Sequence, residues 1–415
     1  MNAVVGSSSS CNAQESNEVL FSTPEELVSD IRMSVNKGVP VLVFIAVNRG
    51  NFPSIEYIAS TIKDMGQHRT YGIYLKSQPA TNVYHALFHC GERLVDLDAI
   101  VSQLPPVHLY LQAHGRWVHL LRRIRELNSG LKVAHEVYDW MESFIGDSRQ
   151  FIASGMFVER QIDSIIEDEA YTRQYSDLLI YKDNGTWIKE KLMEANASSM
   201  KLYPCPPLRW MEEPKRHDGG GSLRLVYAGQ VMNKQAPRAV FGDLDYLGLI
   251  GELTQQGAEI TVFNSVFSSR ELCRDLFSDY HLEMQNNPRF AFHEGIEMPG
   301  SIRALHGKYD YGLVLFDFDQ DIAVGKTHLR ETMASKLFTY LAAGLPVIVS
   351  EEFTYMADFV RENGIGIVIG KDDRPNLVNQ LEEIDPRQFV DNIRISQEKY
   401  CIERFVDRFM VWLSR

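Results

Sequence analysis

The chain has 415 residues, of which 45% are hydrophobic and 23% are charged. This length and this balance are typical of a globular protein with two or three domains and an ample core. The formal net charge of -13 argues against broad, charge-driven binding to nucleic acid or anionic membranes, so we expect no nucleic-acid partner.

The cysteines and the start of the chain indicate a cytoplasmic protein. Five cysteines are scattered along the sequence, without the spacing of a metal site, and are expected to be reduced thiols. The sequence contains no apolar run of about 18 residues that would predict a membrane-spanning helix. Residues 1–20 lack the features of a secretion signal and are predicted to be a disordered tail.

The first half alternates predicted helices and strands. A capped helix begins near Thr23 and Pro24 and is expected to end near residue 36. Residues 39–47 then read as an apolar strand. Ligands bind at the carboxyl ends of such strands in doubly wound α/β domains, so the loop that follows is a candidate site, with an ordinary turn as an equal alternative. This loop comprises Asn48, Arg49, Gly50 and Asn51.

More strands are predicted in this half, at residues 71–75, 107–111, 132–134, 178–181 and 201–203. His114 and His135 follow two of these strands, where a histidine serves as a ligand, as a general base, or only as a turn or core residue. Residues 117–131 form a locally basic amphipathic helix. Such a helix can contact anionic lipid headgroups, although a solvated outer helix is the commoner explanation.

A stretch rich in proline, glycine and charge, residues 206–222, is predicted to link two domains. The first would span residues 21–205 and the second residues 223–390, where the α/β rhythm resumes. Residues 391–415 are predicted to form a C-terminal helix that can pack back on the first domain. The strands of the second domain are predicted at residues 223–228, 259–263, 290–292, 311–316, 347–349 and 364–369.

The stretch 335–350 is predicted to form a helix, a glycine stop and a buried strand. Ser335 would cap the helix, and Gly344 would take the left-handed conformation that ends it. Lys336 lies in the first turn, where the helix dipole disfavours a cation by about 0.3–1 kcal/mol. A phosphate docked at this helix end would explain the lysine, and so would contact with solvent or a nearby carboxylate.

Three motifs, at residues 225–229, 293–295 and 335–347, together resemble the nucleotide-sugar domain of GT-B glycosyltransferases, with family 4 and its relatives as the nearest likeness. The resemblance extends over about residues 223–369. It implies an α/β fold in which two Rossmann-like domains face each other across a cleft. The donor nucleotide-sugar would lie in that cleft against the second domain.

The resemblance also implies roles for particular residues. Gly229 would approach the diphosphate, and Glu331 would act near the donor sugar. His114 or His135 would assist the acceptor, and the loop 48–51 would lie on the acceptor side. The remaining residues implied in donor binding are Gln230, Lys234, His293, Arg330, Ser335, Lys336, Leu337 and Thr339.

The sequence departs from the family pattern at the phosphate and ribose positions. Thr339 stands where a ribose-binding glutamate is usual, and Gln230 and Gln235 stand where arginine and lysine are common. Cations matter here because the leaving diphosphate gains negative charge in the transition state. The side chains available to replace the missing cations are those of Lys234, Lys326 and Arg330.

The preferred interpretation is a glycosyltransferase that moves a sugar from a nucleoside diphosphate sugar with retention. It would need no metal or other cofactor, because helix N–H groups and a lysine would replace the metal. The acceptor is open among a glycan, a lipid-linked sugar, a protein and a small molecule, and residues 117–131 offer peripheral membrane contact. The alternatives are a non-catalytic GT-B binding or scaffold protein and a nucleotide-sugar epimerase of the same fold.

Overall fold

The computed structural model describes residues 18–47, 53–76, 82–214, 221–236, 240, 244–264, 275–294, 300–316 and 323–415. The candidate loop 48–51 and most of the predicted tail lie outside these ranges.

The described strands and helices alternate along most of the chain. The strands are β1 Val19–Leu20, β2 Val41–Ala46, β3 Arg69–Tyr74, β4 Ala86–His89, β5 His108–Gln112, β6 Lys132–Glu136, β7 Leu178–Tyr181, β8 Ser198–Lys201, β9 Arg224–Gly229, β10 Glu259–Asn264, β11 Phe290–Glu294, β12 Tyr311–Val314, β13 Val347–Ser350 and β14 Gly366–Ile369. The α-helices are α1 Pro24–Asn36, α2 Ser54–Met65, α3 Leu94–Val101, α4 Leu120–Leu127, α5 Met141–Phe144, α6 Ser148–Ala153, α7 Glu159–Tyr175, α8 Thr186–Met193, α9 Leu247–Gln255, α10 Ser278–Asn286, α11 Gly300–Leu305, α12 Lys326–Glu331, α13 Ser335–Ala342, α14 Thr354–Asn363, α15 Leu377–Glu382, α16 Val390–Tyr400 and α17 Ile402–Leu413.

The strands form two parallel sheets, one in each half of the chain. The order in the first sheet is β1-β4-β3-β2-β5-β6-β7-β8, and the order in the second is β11-β10-β9-β12-β13-β14. All the described strand pairs are parallel. The carboxyl ends of parallel strands share one edge of their sheet, so each domain gathers its strand-end loops at one edge.

Strand β2 shows why the first sheet is covered on both faces. All six of its residues are buried, as expected for a continuous apolar run in a parallel sheet. Val43 and Ile45 pack into one hydrophobic cluster with Leu27 of α1. Leu42 and Phe44 point to the opposite cluster, because successive side chains of a strand face opposite sides.

The C-terminal helical region differs from the single predicted helix. It breaks at Cys401 into α16 and α17. Tyr400 of α16 packs into the core of the second domain, whereas Phe405 and Phe409 of α17 pack with Phe44 and Tyr110 of the first domain. The chain therefore crosses from the second domain back to the first between these two helices.

The helix in the basic segment 117–131 is shorter than predicted, and acidic partners offset its positive charge. The segment contains the end of a 3-10 turn, Gly115–Trp117, and the helix α4. Three of its arginines form ion pairs with aspartates: Arg122 with Asp168, Arg123 with Asp98 and Arg125 with Asp177. This pairing offsets the positive charge on which the predicted membrane contact depends. Among the described helices, none combines the length and the hydrophobicity that a bilayer-crossing segment requires.

The stretch 335–350 folds largely as predicted. Helix α13 is followed by Gly344, whose φ of 73° is left-handed, and then by the fully buried strand β13. The predicted cap is wrong, because Ala334 occupies the N-cap position and Ser335 is the first helical residue. Glycine is also required at position 344 because an added Cβ would lie 2.7 Å from the Cα of Pro214.

Candidate active site

Lys336 lies at the N-terminus of α13, beside the carboxyl end of β9. Its ammonium donates a hydrogen bond to the hydroxyl of Tyr227 at 2.6 Å. The same nitrogen lies 4.3 Å from the ring centroid of Tyr227 and 4.6 Å from that of Phe316. Tyr227 in turn donates to the carbonyl of Gln230 at 2.7 Å. Cation–π contact and hydrogen bonding together hold the charge at the strand end.

Gly229, the last residue of β9, lies directly against Lys336. A Cβ built on Gly229 would be 3.1 Å from Cε and 3.2 Å from Nζ of the lysine. Because glycine has no side chain, a phosphate can approach the backbone and the ammonium together. The structure therefore brings together two residues that the resemblance assigns to the diphosphate.

The neighbouring residues of α13 have different environments. Leu337 is a core residue with 0% exposure, so its side chain does not face a ligand. The hydroxyl of Thr339 donates back along the helix to the carbonyl of Ser335 at 3.4 Å. A hydroxyl at this position cannot supply the charge of the glutamate that the family usually places there.

Four other side chains implied in donor binding are exposed. Lys234 is exposed and donates to the hydroxyl of Ser278 at 3.0 Å. His293 is also exposed and stacks on Phe263, with ring centroids 5.0 Å apart. Gln230 and Arg330 are exposed as well. A role for these four side chains stays a prediction.

Glu331, which the resemblance places near the donor sugar, contacts the first domain. Its carboxylate accepts hydrogen bonds from the backbone N–H groups of Trp187 at 3.2 Å and Ile188 at 3.3 Å. Its carbonyl accepts one from the N–H of Asn184 at 2.9 Å. These N–H groups lie before and within the first turn of α8, where a carboxylate interacts favourably with the helix dipole. Glu331 therefore caps a helix of the first domain.

The two candidate histidines of the first domain differ in access. His114 is partly buried after β5, and burial lowers its pKa. His135 lies inside β6, because that strand extends to Glu136, and its side chain has 0% exposure. Its Nε2 donates to the carbonyl of Ala113 at 2.9 Å, and burial lowers its pKa to about 4. This burial favours the core role that the sequence left open for His135, and a catalytic role stays a prediction.

A buried cation, Lys182, was not among the predicted site residues. It follows β7, and its side chain is 3% exposed. Its ammonium contacts carboxylate oxygens of Asp139 at 3.0 Å and Asp183 at 3.1 Å and donates to the hydroxyl of Thr332 at 2.6 Å. These acceptors match the three N–H donors of a lysine. The signal that could have found it is a Lys-Asp pair directly after an apolar strand.

Asp139 lies at the same edge of the first sheet, between Lys182 and histidines from both domains. Its Oδ1 is 4.0 Å from Nε2 of His328. Burial acts to raise the pKa of Asp139, but Lys182, His328 and His114 outweigh it and hold the pKa below its ordinary value. Burial also lowers the pKa of His328. The carboxylate is therefore charged near neutral pH.

The domains meet along an interdomain seam, formed by residues 138–147 and 182–188 of the first domain and residues 323–335 of the second. The N–H groups of Gly146 and Asp147 donate to the carbonyl of Ala323 at 3.0 and 3.1 Å. The side chain of Ser335 lies beside the hydroxyl of Tyr138. The seam thus joins the strand-end edge of the first domain to the N-terminus of α13. Within the described ranges, no group of three or more His, Cys, Asp or Glu side chains is arranged to hold a metal.

Comparison with known proteins agrees with this architecture. Residues 256–411 match the family described as glucosyltransferase 3-like, C-terminal domain. The structure of Anabaena HepE in complex with UDP-glucose is similar, with a TM-score of 0.61, 9% identity, and coverage of 90% of this chain and 99% of that one. The α,α-trehalose 6-phosphate synthase of Burkholderia multivorans gives a TM-score of 0.56 at 8% identity, covering 91% and 98%. No curated protein matches the sequence significantly.

These matches confirm the predicted likeness to GT-B glycosyltransferases, in the fold and in the C-terminal domain. They are not specific to family 4, which stays a prediction. The identities to the solved structures are so low that they establish the fold alone. The chain is an α/β protein with the two-domain fold of the GT-B glycosyltransferases, and its residues 256–411 are similar to the glucosyltransferase 3-like C-terminal domain.

Proposed function

We propose that the protein is an enzyme that transfers a sugar from a nucleoside diphosphate sugar to an acceptor hydroxyl. The observation that carries this proposal is the position of Lys336 against Gly229 at the N-terminus of α13. HepE has been solved with UDP-glucose and with UDP and glucose. UDP-glucose is therefore the first donor to test.

The charge at this helix end suits a diphosphate. The first turn of α13 contains no acidic residue, and Lys336 adds a cation where the dipole is already positive. Both features favour a bound anion, and both would favour the departing diphosphate still more. Lys336 thus supplies charge that Gln230 and Gln235 lack.

The reaction needs two partners on opposite sides of the cleft. The acceptor oxygen forms a bond to the anomeric carbon, and the bond from that carbon to the diphosphate oxygen breaks. The electron pair of the broken bond goes to the diphosphate, and the departing diphosphate oxygen takes up the proton of the acceptor hydroxyl. Retention at the anomeric carbon is part of the proposal and rests on the family resemblance.

One observation favours a non-catalytic alternative. Glu331, expected near the donor sugar, is bound to the N-terminus of α8. A chain that had lost transfer activity could keep such a contact for stability alone. This alternative predicts UDP binding without turnover.

Calorimetry with UDP and GDP on the wild type and on Lys336→Met tests the diphosphate site. Methionine keeps most of the aliphatic stem and removes the charge. Losing a charged hydrogen bond worth about 1.5–3 kcal/mol should weaken UDP binding roughly 10- to 100-fold. Lys37→Met is the matched control, because this exposed lysine lies at the C-terminal end of α1 in the first domain.

Equal UDP affinity in the wild type and Lys336→Met would contradict the phosphate role. Incubation of the wild type with UDP-glucose, with and without sugar acceptors, then separates the functions. A glycosylated product or acceptor-dependent UDP release indicates transfer. An isomerised nucleotide-sugar formed without acceptor would indicate the epimerase.

A further inference from the structure

The two carboxylates that contact Lys182 differ in their solvent exposure. Asp139 and Asp183 lie at nearly equal distances from the ammonium, 3.0 and 3.1 Å. The side chain of Asp139 is 27% exposed, whereas that of Asp183 is 5% exposed. One carboxylate is enough to neutralise one buried lysine. The second, more exposed carboxylate gives this cluster an excess negative charge.

The groups around Asp139 do not cancel this excess. Lys182 is shared with Asp183, and burial lowers the pKa of both His114 and His328. The ring of Tyr138 lies 4.7 Å from the Lys182 ammonium and adds no charge near neutral pH. With one lysine and two carboxylates, these described side chains carry a net charge of about -1 at neutral pH.

The position of Asp139 adjoins the proposed donor site. Its neighbour Tyr138 lies beside Ser335, the residue before Lys336. His328, from the second domain, approaches Asp139 from across the seam. An acceptor must lie beside the donor sugar, so its hydroxyl has to reach this part of the cleft.

We propose that Asp139 binds the acceptor, accepting a hydrogen bond from a hydroxyl of an uncharged sugar, and that Lys182 positions this carboxylate. This inference rests on the proposed function and deepens it by naming the acceptor class. An ionised carboxylate is a strong hydrogen-bond acceptor for a hydroxyl group. The excess negative charge disfavours a phosphorylated sugar, because like charges repel at close range in a partly buried site.

Lys182 fixes Asp139 through three contacts that leave the ammonium little freedom. Two come from the first domain, and the third, from Thr332, comes from the second. The position of the carboxylate therefore depends on contacts from both domains. Lys182 does not itself touch the acceptor in this arrangement.

The test compares Asp139→Asn with Asp183→Asn, using UDP-glucose as donor and glucose, glucose 6-phosphate or water as acceptor. Each variant removes one of the two negative charges beside Lys182, but only Asp139→Asn changes the more exposed carboxylate. Asp139→Asn should lower kcat/KM for glucose roughly 10- to 100-fold, with the UDP dissociation constant unchanged. Asp183→Asn should keep the KM for glucose even if its melting temperature falls.

The positioning role of Lys182 has its own measurement. Thr332→Val removes one contact of Lys182 without leaving a buried charge unpaired. It should raise the KM for glucose while UDP affinity stays constant, which a purely structural seam contact would not do. An unchanged KM for glucose in a folded Thr332→Val protein contradicts this role.

The other outcomes separate this inference from the proposed function. Equal losses in Asp139→Asn and Asp183→Asn would show that Asp139 acts only through Lys182, which overturns the inference and leaves the enzyme standing. Faster transfer to glucose 6-phosphate than to glucose overturns the acceptor class. UDP binding by the wild type without any turnover, hydrolysis included, overturns both the transfer function and the acceptor role. Failure of the wild type to bind UDP contradicts the proposed donor site as well.

Discussion

Gly185 and Glu331 make a contact across the interdomain seam whose energy can be measured. Gly185 is the N-cap of α8, and its φ of 168° is extended backbone that alanine also adopts. A Cβ at this position would overlap the carboxylate group of Glu331. Gly185→Ala should therefore act by displacing Glu331 from the helix end, and not by straining the backbone.

The cost follows from the contacts that Glu331 makes. Its carboxylate serves two N–H groups of the first turn of α8, those of Trp187 and Ile188. Removing a helix cap costs about 0.5–2 kcal/mol, and removing the favourable charge–dipole interaction costs about 0.3–1 kcal/mol. We expect Glu331→Ala to lower the free energy of unfolding by about 1–3 kcal/mol. Gly185→Ala should cost a similar amount.

A double-mutant cycle gives the decisive comparison. Once Glu331 is alanine, the added methyl group at position 185 has no carboxylate to displace. The double variant should therefore be about as stable as Glu331→Ala alone, with a coupling energy of roughly 1–3 kcal/mol, equal to the cost of Gly185→Ala. Urea unfolding followed by tryptophan fluorescence measures all four proteins. Additive losses would refute the cap, and a large loss of UDP affinity in Glu331→Ala would place this residue at the donor after all.

The remaining predictions concern two buried ionisable residues. Lys182→Met should lower the free energy of unfolding, measured with urea, by about 3–5 kcal/mol, because it leaves two carboxylates without their cation. Thr332→Val removes only one hydroxyl and should lower it far less. Similar losses in the two variants would contradict this account. Burial lowers the pKa of His135 from 6.5 to about 4. As the pH falls, the unfolded state therefore binds a proton at this residue before the folded state does. The free energy of unfolding should fall between pH 6.5 and pH 4, by at most about 1.4 kcal/mol per pH unit. His135→Gln should remove this part of the pH dependence in urea titrations, and parallel pH profiles for the two proteins would contradict it.

Features encoded within a short stretch of chain could be predicted from the sequence. The helix α1 begins where Thr23 and Glu26 form a capping box, as predicted from those residues. Lys336 stood out because a cation in a first turn conflicts with the helix dipole, a rule that needs only the neighbouring residues. The turn at Gly344 follows the same logic, since a left-handed helix stop favours glycine.

The position of His135 could not be predicted because strand partners decide it. The polar residues His135 and Glu136 made the apolar strand seem to end at Ala134. They instead pair in register with Leu111 and Gln112 of β5. Hydrogen bonds from Ser54, Tyr110 and Gln112 satisfy the carboxylate of Glu136, so it tolerates burial inside the sheet.

The seam contacts could not be predicted from the sequence for a related reason. Lys182 and Thr332 are 150 positions apart, and Glu331 and Trp187 are 144 positions apart. No periodicity or local motif links residues at such separations. Family resemblance did identify Glu331 as notable, but it could not show that the carboxylate faces the N-terminus of α8.

The charge distribution explains why the proposed reaction needs both domains. The second domain offers Lys336 and a helix N-terminus, which suit the diphosphate, while the first offers the carboxylate of Asp139. During transfer, negative charge moves onto the diphosphate and positive charge builds on the sugar. A fixed cation at one side and a fixed carboxylate at the other stabilise that separation without reorganising. Nucleotide binding then depends mainly on the second domain, whereas turnover depends on the seam. Variants at Lys336 should therefore change the UDP dissociation constant, and variants at Asp139 should change kcat/KM for the acceptor.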